Sequence, residues 1–327
     1  MTSVYTTNDH FLSPTQPEDA DFEKVIYEKK DGVATVTINR PEVYNCLNFQ
    51  TLREMTRAFE LASWDDEIGV VVLTGAGDKA FCTGADMKEQ NNEILDRPRN
   101  YWKWMGAFIE AHEKLKNIGK PTIARLNGIT VGGGNEFNIN CDLAVMADHG
   151  YIKQVGNSHG SVAAGGATQW LPLIVGDRRA REILWLNEEI TPDKALEWGL
   201  VNEVVPAHEL DDAVDRLAKK LLNKLPECVR YTKEQTNFWR NLSFNMTVQH
   251  ARDWLSVHTG SYETYESMRA FSEKRKPDYE KIRARAASGG SSEHLWGAPM
   301  LECDQCGTKD IPEYFNHCGV CGAPINK

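Results

Sequence analysis

The chain has 327 residues, of which 41% are hydrophobic and 26% charged, an ordinary globular composition with length for one large domain or two smaller ones. Lys and Arg number 37 against 47 Asp and Glu, a net charge of −10, which argues against nucleic acid as a partner because phosphate binding wants basic residues in excess. No run approaches the roughly 20 apolar residues of a membrane-crossing helix, and the first residues lack a basic patch followed by an apolar core, so no membrane partner is expected and the expected location is cytoplasmic.

Residues 1–21, "MTSVYTTNDHFLSPTQPEDAD", read as a polar arm. "KVIYEKKDGVATVTINRP" places two alternating runs around Asp31–Gly32 and predicts a β-hairpin, with Ala34, Val36 and Ile38 on one face and Val33, Thr35 and Thr37 on the other. A helix is predicted over 48–65, where Leu52, Met55 and Phe59 recur near helical spacing and Asn48 stands as a cap. "IGVVVLTGAG" is a continuous apolar run ended by glycines, the pattern of a strand buried on both faces. A long amphipathic segment near 98–117 leads to two more buried strands, "KPTIARLNG" and "CDLAVMAD". "GDRRAREILWLN" and "TPDKALEWG" predict helices, the latter capped by Thr191 and stopped at Gly199. Beyond about residue 205 the pattern is helical only. The expected class is therefore α/β, with parallel strands in a core over 22–205, a helical lobe over 206–285 and a small-residue linker over 286–299.

The cysteines are unevenly placed. Cys46, Cys82, Cys141 and Cys228 are scattered, whereas Cys303, Cys306, Cys318 and Cys321 form CxxC, eleven residues, CxxC within 300–327. Without a secretion signal, that spacing reads as a tetrahedral zinc site rather than disulfides. So short a segment needs such a staple. Four thiolates leave no open position, so the zinc is expected to be structural, for docking on another subunit or a partner enzyme, or only for stabilising an oligomer.

Two segments carry candidate chemistry: "GAGDKAFCTGADMKE" (75–89) and "TVGGGNEF" (130–137). Each follows a buried strand and opens into a predicted helix, whose N-terminus presents unpaired N–H groups that glycine lets a ligand approach. If both face one cavity, two amides converge on a single oxygen as an oxyanion hole. Taken singly, either segment reads as a tight structural turn.

Together with "VATVTINRPEVYNCLN", "GGATQWLPLIVG", "REILWLNEEITPDKALEWGLVNEVVP" and "AFSEKRKPDY", these segments resemble the crotonase (enoyl-CoA hydratase/isomerase) superfamily over about 22–283. The resemblance implies a crotonase-like ββα spiral core with a helical C-terminal lobe, a substrate that is an acyl-CoA thioester, coenzyme A entering as part of it, and a homotrimer or homohexamer. By motif, the enolate-holding amides are those of Ala85 and Gly133, flanked by Gly132 and Gly134. Glu136 stands where the family often places its acid and base, with a helix-capping carboxylate as the alternative reading. Asp86, Met87 and Lys88 would line the substrate channel, and Lys274 or Lys276 would contact phosphate, unless they belong to a solvated face.

The resemblance also shows departures. Hydratases usually carry a second glutamate in a segment similar to "QPEILLG"; here "KQVGNSHGSVAAGGATQW" puts Gly156 in its place. This segment is more similar to the branch of dihydroxynaphthoyl-CoA synthase and the hydrolases that open alicyclic oxoacyl-CoA rings. The oxocyclohexene-carbonyl-CoA hydrolase combines the GGGx glutamate with a histidine matching His159, but Ala164 stands where that branch tends to have an aspartate. Gln154 is a candidate to hold water or a small anion, and His159 to orient water or a ring oxygen or else to be structural. Ser161 is a candidate contact or a loop-satisfying hydroxyl, and Trp102, Trp104, Met105 and Trp170 are candidate pocket walls or core. The expected activity is hydration or hydrolytic C–C ring cleavage of a cyclic enoyl- or oxoacyl-CoA, with an ordinary hydratase or isomerase on linear substrates and a non-catalytic acyl-CoA-binding subunit as alternatives.

Overall fold

The computed structural model describes residues 20–95, 97–290, 301–309, 311–312 and 314–325. Nearly all of the expected N-terminal arm and residues 291–299 of the expected linker lie outside these. Nine strands are described: β1 (Val25–Lys30), β2 (Val33–Ile38), β3 (Val70–Gly75), β4 (Ala80–Cys82), β5 (Thr122–Leu126), β6 (Ile129–Val131), β7 (Leu143–Ala147), β8 (Ile152–Lys153) and β9 (Glu203–Val205). The α-helices of six residues or more are α1 (Phe49–Trp64), α2 (Pro98–Lys116), α3 (Gly133–Asn140), α4 (Ala167–Ile174), α5 (Asp177–Leu186), α6 (Pro192–Glu197), α7 (Leu210–Leu222), α8 (Pro226–Thr236), α9 (Phe238–His258), α10 (Tyr262–Ser272) and α11 (Tyr279–Ala287). Among the described residues, no helix is long and apolar enough to cross a membrane.

The chain divides into two compact units. The first holds the residues through Asp86, Trp104–Asn157 and Val162–Arg252; the second holds Met87–Lys103, Ser158–Ser161 and the described residues from Asp253 onward.

In the first unit, β1 and β2 form the expected antiparallel hairpin, and the alternation in β2 becomes burial, with Ala34, Val36 and Ile38 fully enclosed. The sheet continues in the order β1-β2-β3-β5-β7-β9, parallel from β2 on. Every residue of β3 is buried, as an apolar run covered on both faces requires. Helix α7 supplies one cover: Leu210, Ala213, Val214 and Ala218 recur at helical spacing and pack on Val70, Val72, Ile123, Val145 and Val205. The predicted caps form, with Asn48 accepting the Thr51 N–H at 2.8 Å and Thr191 the Lys194 N–H at 3.4 Å. Gly199 follows α6 at φ +76°, where a side chain would be strained.

A second, three-stranded parallel sheet, β4-β6-β8, was not legible in the sequence. Its strands have two or three residues each, too few to carry a period. Adjacent parallel strands expose their carboxyl ends side by side, and here those ends lead into Gly84, Gly132 and Gln154.

In the second unit, Glu266 on α10 holds both guanidinium nitrogens of Arg275 and accepts the Asp278 N–H at 2.8 Å, which ties the segment entering α11 back to α10.

Candidate functional site

The three strand ends of the small sheet build the candidate site. After β4 the chain turns at Gly84, which has φ +85°, a conformation only glycine adopts without strain. A methyl there would stand 2.9 Å from the Gly133 nitrogen and 3.1 Å from the Val131 carbonyl oxygen. The two glycine segments thus meet backbone to backbone. On the other side of the same turn, a methyl on Gly134 would lie 2.1 Å from the Cys82 carbonyl oxygen, which no side chain tolerates.

Each of the two amides is aimed by its own peptide plane. In a trans peptide the C=O and N–H point in opposite directions. The Gly84 carbonyl accepts the Leu47 N–H at 2.7 Å, so the Ala85 N–H faces away from Leu47. The Gly132 carbonyl accepts the Glu136 N–H at 3.1 Å and the Gln154 side-chain amide at 3.4 Å, so the Gly133 N–H faces away from both. Among the described residues neither the Ala85 nor the Gly133 N–H has an acceptor. Both residues keep partial exposure while Gly84 and Gly134 are buried.

Glu136 lies on the first turn of α3, and only 4% of its surface is exposed. Its carboxylate accepts the Ala167 N–H at 3.1 Å, at the N-terminus of α4, and the Gly165 amide also donates to it. Burial pushes this carboxyl from its ordinary 4.5 up to about 7, against the pull of those two amides. Gln154 is almost fully enclosed, and its Oε1 has no partner among the described residues, an acceptor left open beside the Gly132 peptide.

The Asp86 carboxylate turns inward to Arg40, at 2.8 Å. Met87, Lys88, His159 and Ser161 belong to the second unit. There Met87 and Lys88 sit on a single helical turn, and the Ser158 hydroxyl meets His159 Nδ1 at 3.1 Å. Lys274 and Lys276 are exposed. Of the large apolar candidates, Trp102 is exposed and donates to Asp253, whereas Trp104, Met105 and Trp170 are core; Trp170 stacks on Phe244.

Residues 28–282 match the family described as enoyl-CoA hydratase/isomerase. The chain belongs to the enoyl-CoA hydratase/isomerase family. An enoyl-CoA hydratase from Mycobacterium avium subsp. paratuberculosis superposes with a TM-score of 0.71 at 26% identity, over 79% of this chain and 99% of its own. EchA1_1 of Mycobacterium paratuberculosis gives 0.70 at 30% identity, over 80% and 100%. An enoyl-CoA hydratase from Bacillus anthracis gives 0.64 at 29% identity, over 79% and 99%. The α/β architecture is the crotonase-like fold, and the acyl-CoA substrate class follows from family membership.

The family match ends before the four clustered cysteines, whose sulfurs lie within 4.8 Å of one another. Cys303 and Cys321 Sγ are 3.5 Å apart, and Cys306 and Cys318 Sγ 3.6 Å. A disulfide needs about 2.05 Å, whereas thiolates about 2.3 Å from a tetrahedral zinc stand about 3.8 Å apart. The donor set fits zinc. The two knuckles repeat one geometry: Gly307 donates to the Cys303 carbonyl at 2.8 Å and Gly322 to that of Cys318 at 2.9 Å, both glycines at positive φ.

Sequence reading missed three parts of this candidate site. Gly165 and Ala167, the donors to Glu136, lie in a "GGA" turn whose glycines signalled a turn but not its partner. Phe108 packs its ring so closely that a methyl on Gly165 or Gly133 would stand 2.2 or 3.0 Å from it. It thereby braces both the amide turn and the donor turn. Its signal was the aromatic row Trp104, Phe108 and His112 at four-residue spacing on α2.

The buried carboxyl has a stability consequence. Its folded value lies above the unfolded one, so its contribution is fully present below about 4.5 and is lost as pH rises through about 7, an effect of about 3 kcal/mol. Glu136→Gln is expected to remove this part of the pH dependence and to gain on the parent as pH rises from 5 to 8. Denaturant midpoints of both proteins across that range check it; parallel pH slopes would contradict it.

Proposed function

We propose that this chain is a crotonase-superfamily enzyme that holds a thioester enolate at the Ala85 and Gly133 amides and moves protons with Glu136. Its reaction is hydration or hydrolytic C–C ring cleavage of a cyclic enoyl- or oxoacyl-CoA. The observation that carries this reading is the pair of peptides whose carbonyls are tied back, at Gly84 by Leu47 and at Gly132 by Glu136 and Gln154, while their N–H groups stay without acceptors among the described residues. Two preorganised donors stabilise the charge that develops on the thioester oxygen, and losing one such donor costs about 3–4 kcal/mol of barrier.

Glu136 suits both halves of a proton transfer because a carboxyl near pH 7 gives and takes protons readily. In hydration its carboxylate takes a proton from water, the water oxygen bonds to Cβ, and the electron pair of the double bond moves onto the thioester enolate. The same carboxylic acid then protonates Cα. In ring opening, Glu136 takes a proton from water as the water oxygen bonds to the ring ketone carbon. The ring C–C bond then breaks towards the thioester: the ketone carbon leaves as a carboxyl group, the electron pair of the broken bond forms the enolate, and Glu136 returns its proton to Cα. Both sequences need one carboxyl group, which agrees with Gly156 at the position of the second hydratase glutamate. The Gln154 Oε1 left open beside the Gly132 peptide supports a role in holding the water.

A homotrimer or homohexamer is part of the reading, supported by the exposed row of Trp239, Leu242 and Met246 on α9. The tetrathiolate cluster is read as structural zinc. Elemental analysis is expected to find one zinc per chain, released when Cys306→Ser and Cys321→Ser are combined; a metal-free chain with four freely titrating thiols would contradict this.

Glu136→Gln is expected to lower turnover about 10²–10⁴-fold while affinity for the CoA ester stays within a few-fold. Turnover near the parent's would overturn the role of Glu136. The assay uses crotonyl-CoA beside cyclic enoyl- and oxoacyl-CoA esters. Preference for crotonyl-CoA favours the linear hydratase or isomerase reading, and tight binding without turnover on any ester favours a binding subunit.

A further inference from the structure

Residues 40–46 form a segment to which the proposed chemistry gives no task. Its backbone is under strain: Tyr44 and Asn45 are consecutive non-glycine residues, both at φ 55°. Left-handed backbone at such residues costs about 1–3 kcal/mol each and persists only where the surroundings impose it. Here the Asn45 side chain imposes it. Almost fully buried, it accepts the Arg40 N–H at 3.0 Å and donates to the Ala76 and Ala80 carbonyls at 2.9 and 2.8 Å.

The strained turn brings Leu47 alongside Ala85 as a parallel bridge. Leu47 is bonded to the peptides on both sides of Ala85, its N–H to the Gly84 carbonyl and its carbonyl to the Asp86 N–H, at 2.7 and 2.9 Å. Arg40 closes the structure from the side. One guanidinium nitrogen donates to the Cys46 carbonyl at 2.6 Å and the other to the Asp86 carboxylate at 2.8 Å. Both side chains of this pair are largely buried, at 12% and 14% exposure, and a guanidinium fork fixes direction as well as distance. The Cys46 thiol bonds to the same carboxylate.

We propose that Arg40 is a positioning residue: by tying Asp86 to the carbonyl of Cys46, it fixes the 84–86 segment so that the Ala85 amide keeps its aim. The proposal rests on the functional reading above, in which that amide holds the thioester oxygen. In this role Arg40 does not contact the reacting atoms. It acts through the peptide on either side of Ala85.

The test combines steady-state kinetics with amide hydrogen exchange on the full-length protein. Arg40→Gln is expected to lower kcat about 10–100-fold with KM within about threefold and to speed exchange over 85–87. Arg40→Lys, which keeps the charge but not the fork, is expected to fall between that variant and the parent. Asp86→Asn is the second variant should Arg40→Gln misfold, and combining the two is expected to cost no more than either alone, because they break one contact. Turnover of Arg40→Gln within about twofold of the parent, or unchanged exchange over 85–87, would overturn the proposal. A parent without turnover on any acyl-CoA would end the functional reading and the catalytic half of this one; the exchange rates separate that failure from a failure of the clamp.

Discussion

Gly84 lies so close to Gly133 that a single methyl group between them would reach the Gly133 nitrogen at 2.9 Å. Two segments nearly fifty residues apart therefore share one small volume, and most of the site follows from that contact. With no side chain between them, both peptides are free to present an N–H, and each has its carbonyl anchored in the opposite direction. The anchors come from different sources: Leu47 for one, and Glu136 with Gln154 for the other. The small sheet β4-β6-β8 provides the frame, since its parallel strands end together where the three segments begin. Ligand sites at the carboxyl ends of parallel strands are a general property of α/β folds.

The same contact explains why an ionisable group is buried beside flexible backbone. Glu136 sits three residues past Gly133 on α3, and its own N–H is one of the anchors on the Gly132 carbonyl. Its side chain is dry enough to hold a proton near neutrality, yet it is not abandoned, because Ala167 and Gly165 donate to it from the start of α4. Phe108 packs under both turns. Amide turn, carboxyl and donor turn are thus one packed assembly, so a change in the aim of one is transmitted to the others. This organisation suits a reaction whose proton transfers occur within reach of the enolate.

Much of this was legible in the sequence because it is local. The hairpin at Asp31–Gly32, the buried run of β3 and the caps at Asn48 and Thr191 each depend on a few neighbouring residues, and the CxxC pairs announce their geometry by spacing. What was not legible is non-local or too short. Strands β4, β6 and β8 carry no period. The donor to Glu136 is 31 residues away, and the partner of Arg40 is 46 residues away, so neither pairing can be read from spacing. Trp104, Met105 and Trp170 show the limit of composition: a large apolar residue reads equally as pocket wall or core until packing decides, and here all three are core.

Whether the Ala85 and Gly133 amides polarise one thioester oxygen is read by infrared difference spectroscopy of a bound, unreactive saturated acyl-CoA carrying a ¹³C-labelled carbonyl. The carbonyl band of the bound ester is expected at lower wavenumber than in water, and Gly84→Ala, which pushes a methyl against the Gly133 nitrogen, is expected to reverse the displacement. A bound carbonyl absorbing at or above its position in water would mean that the two amides do not hold the thioester oxygen.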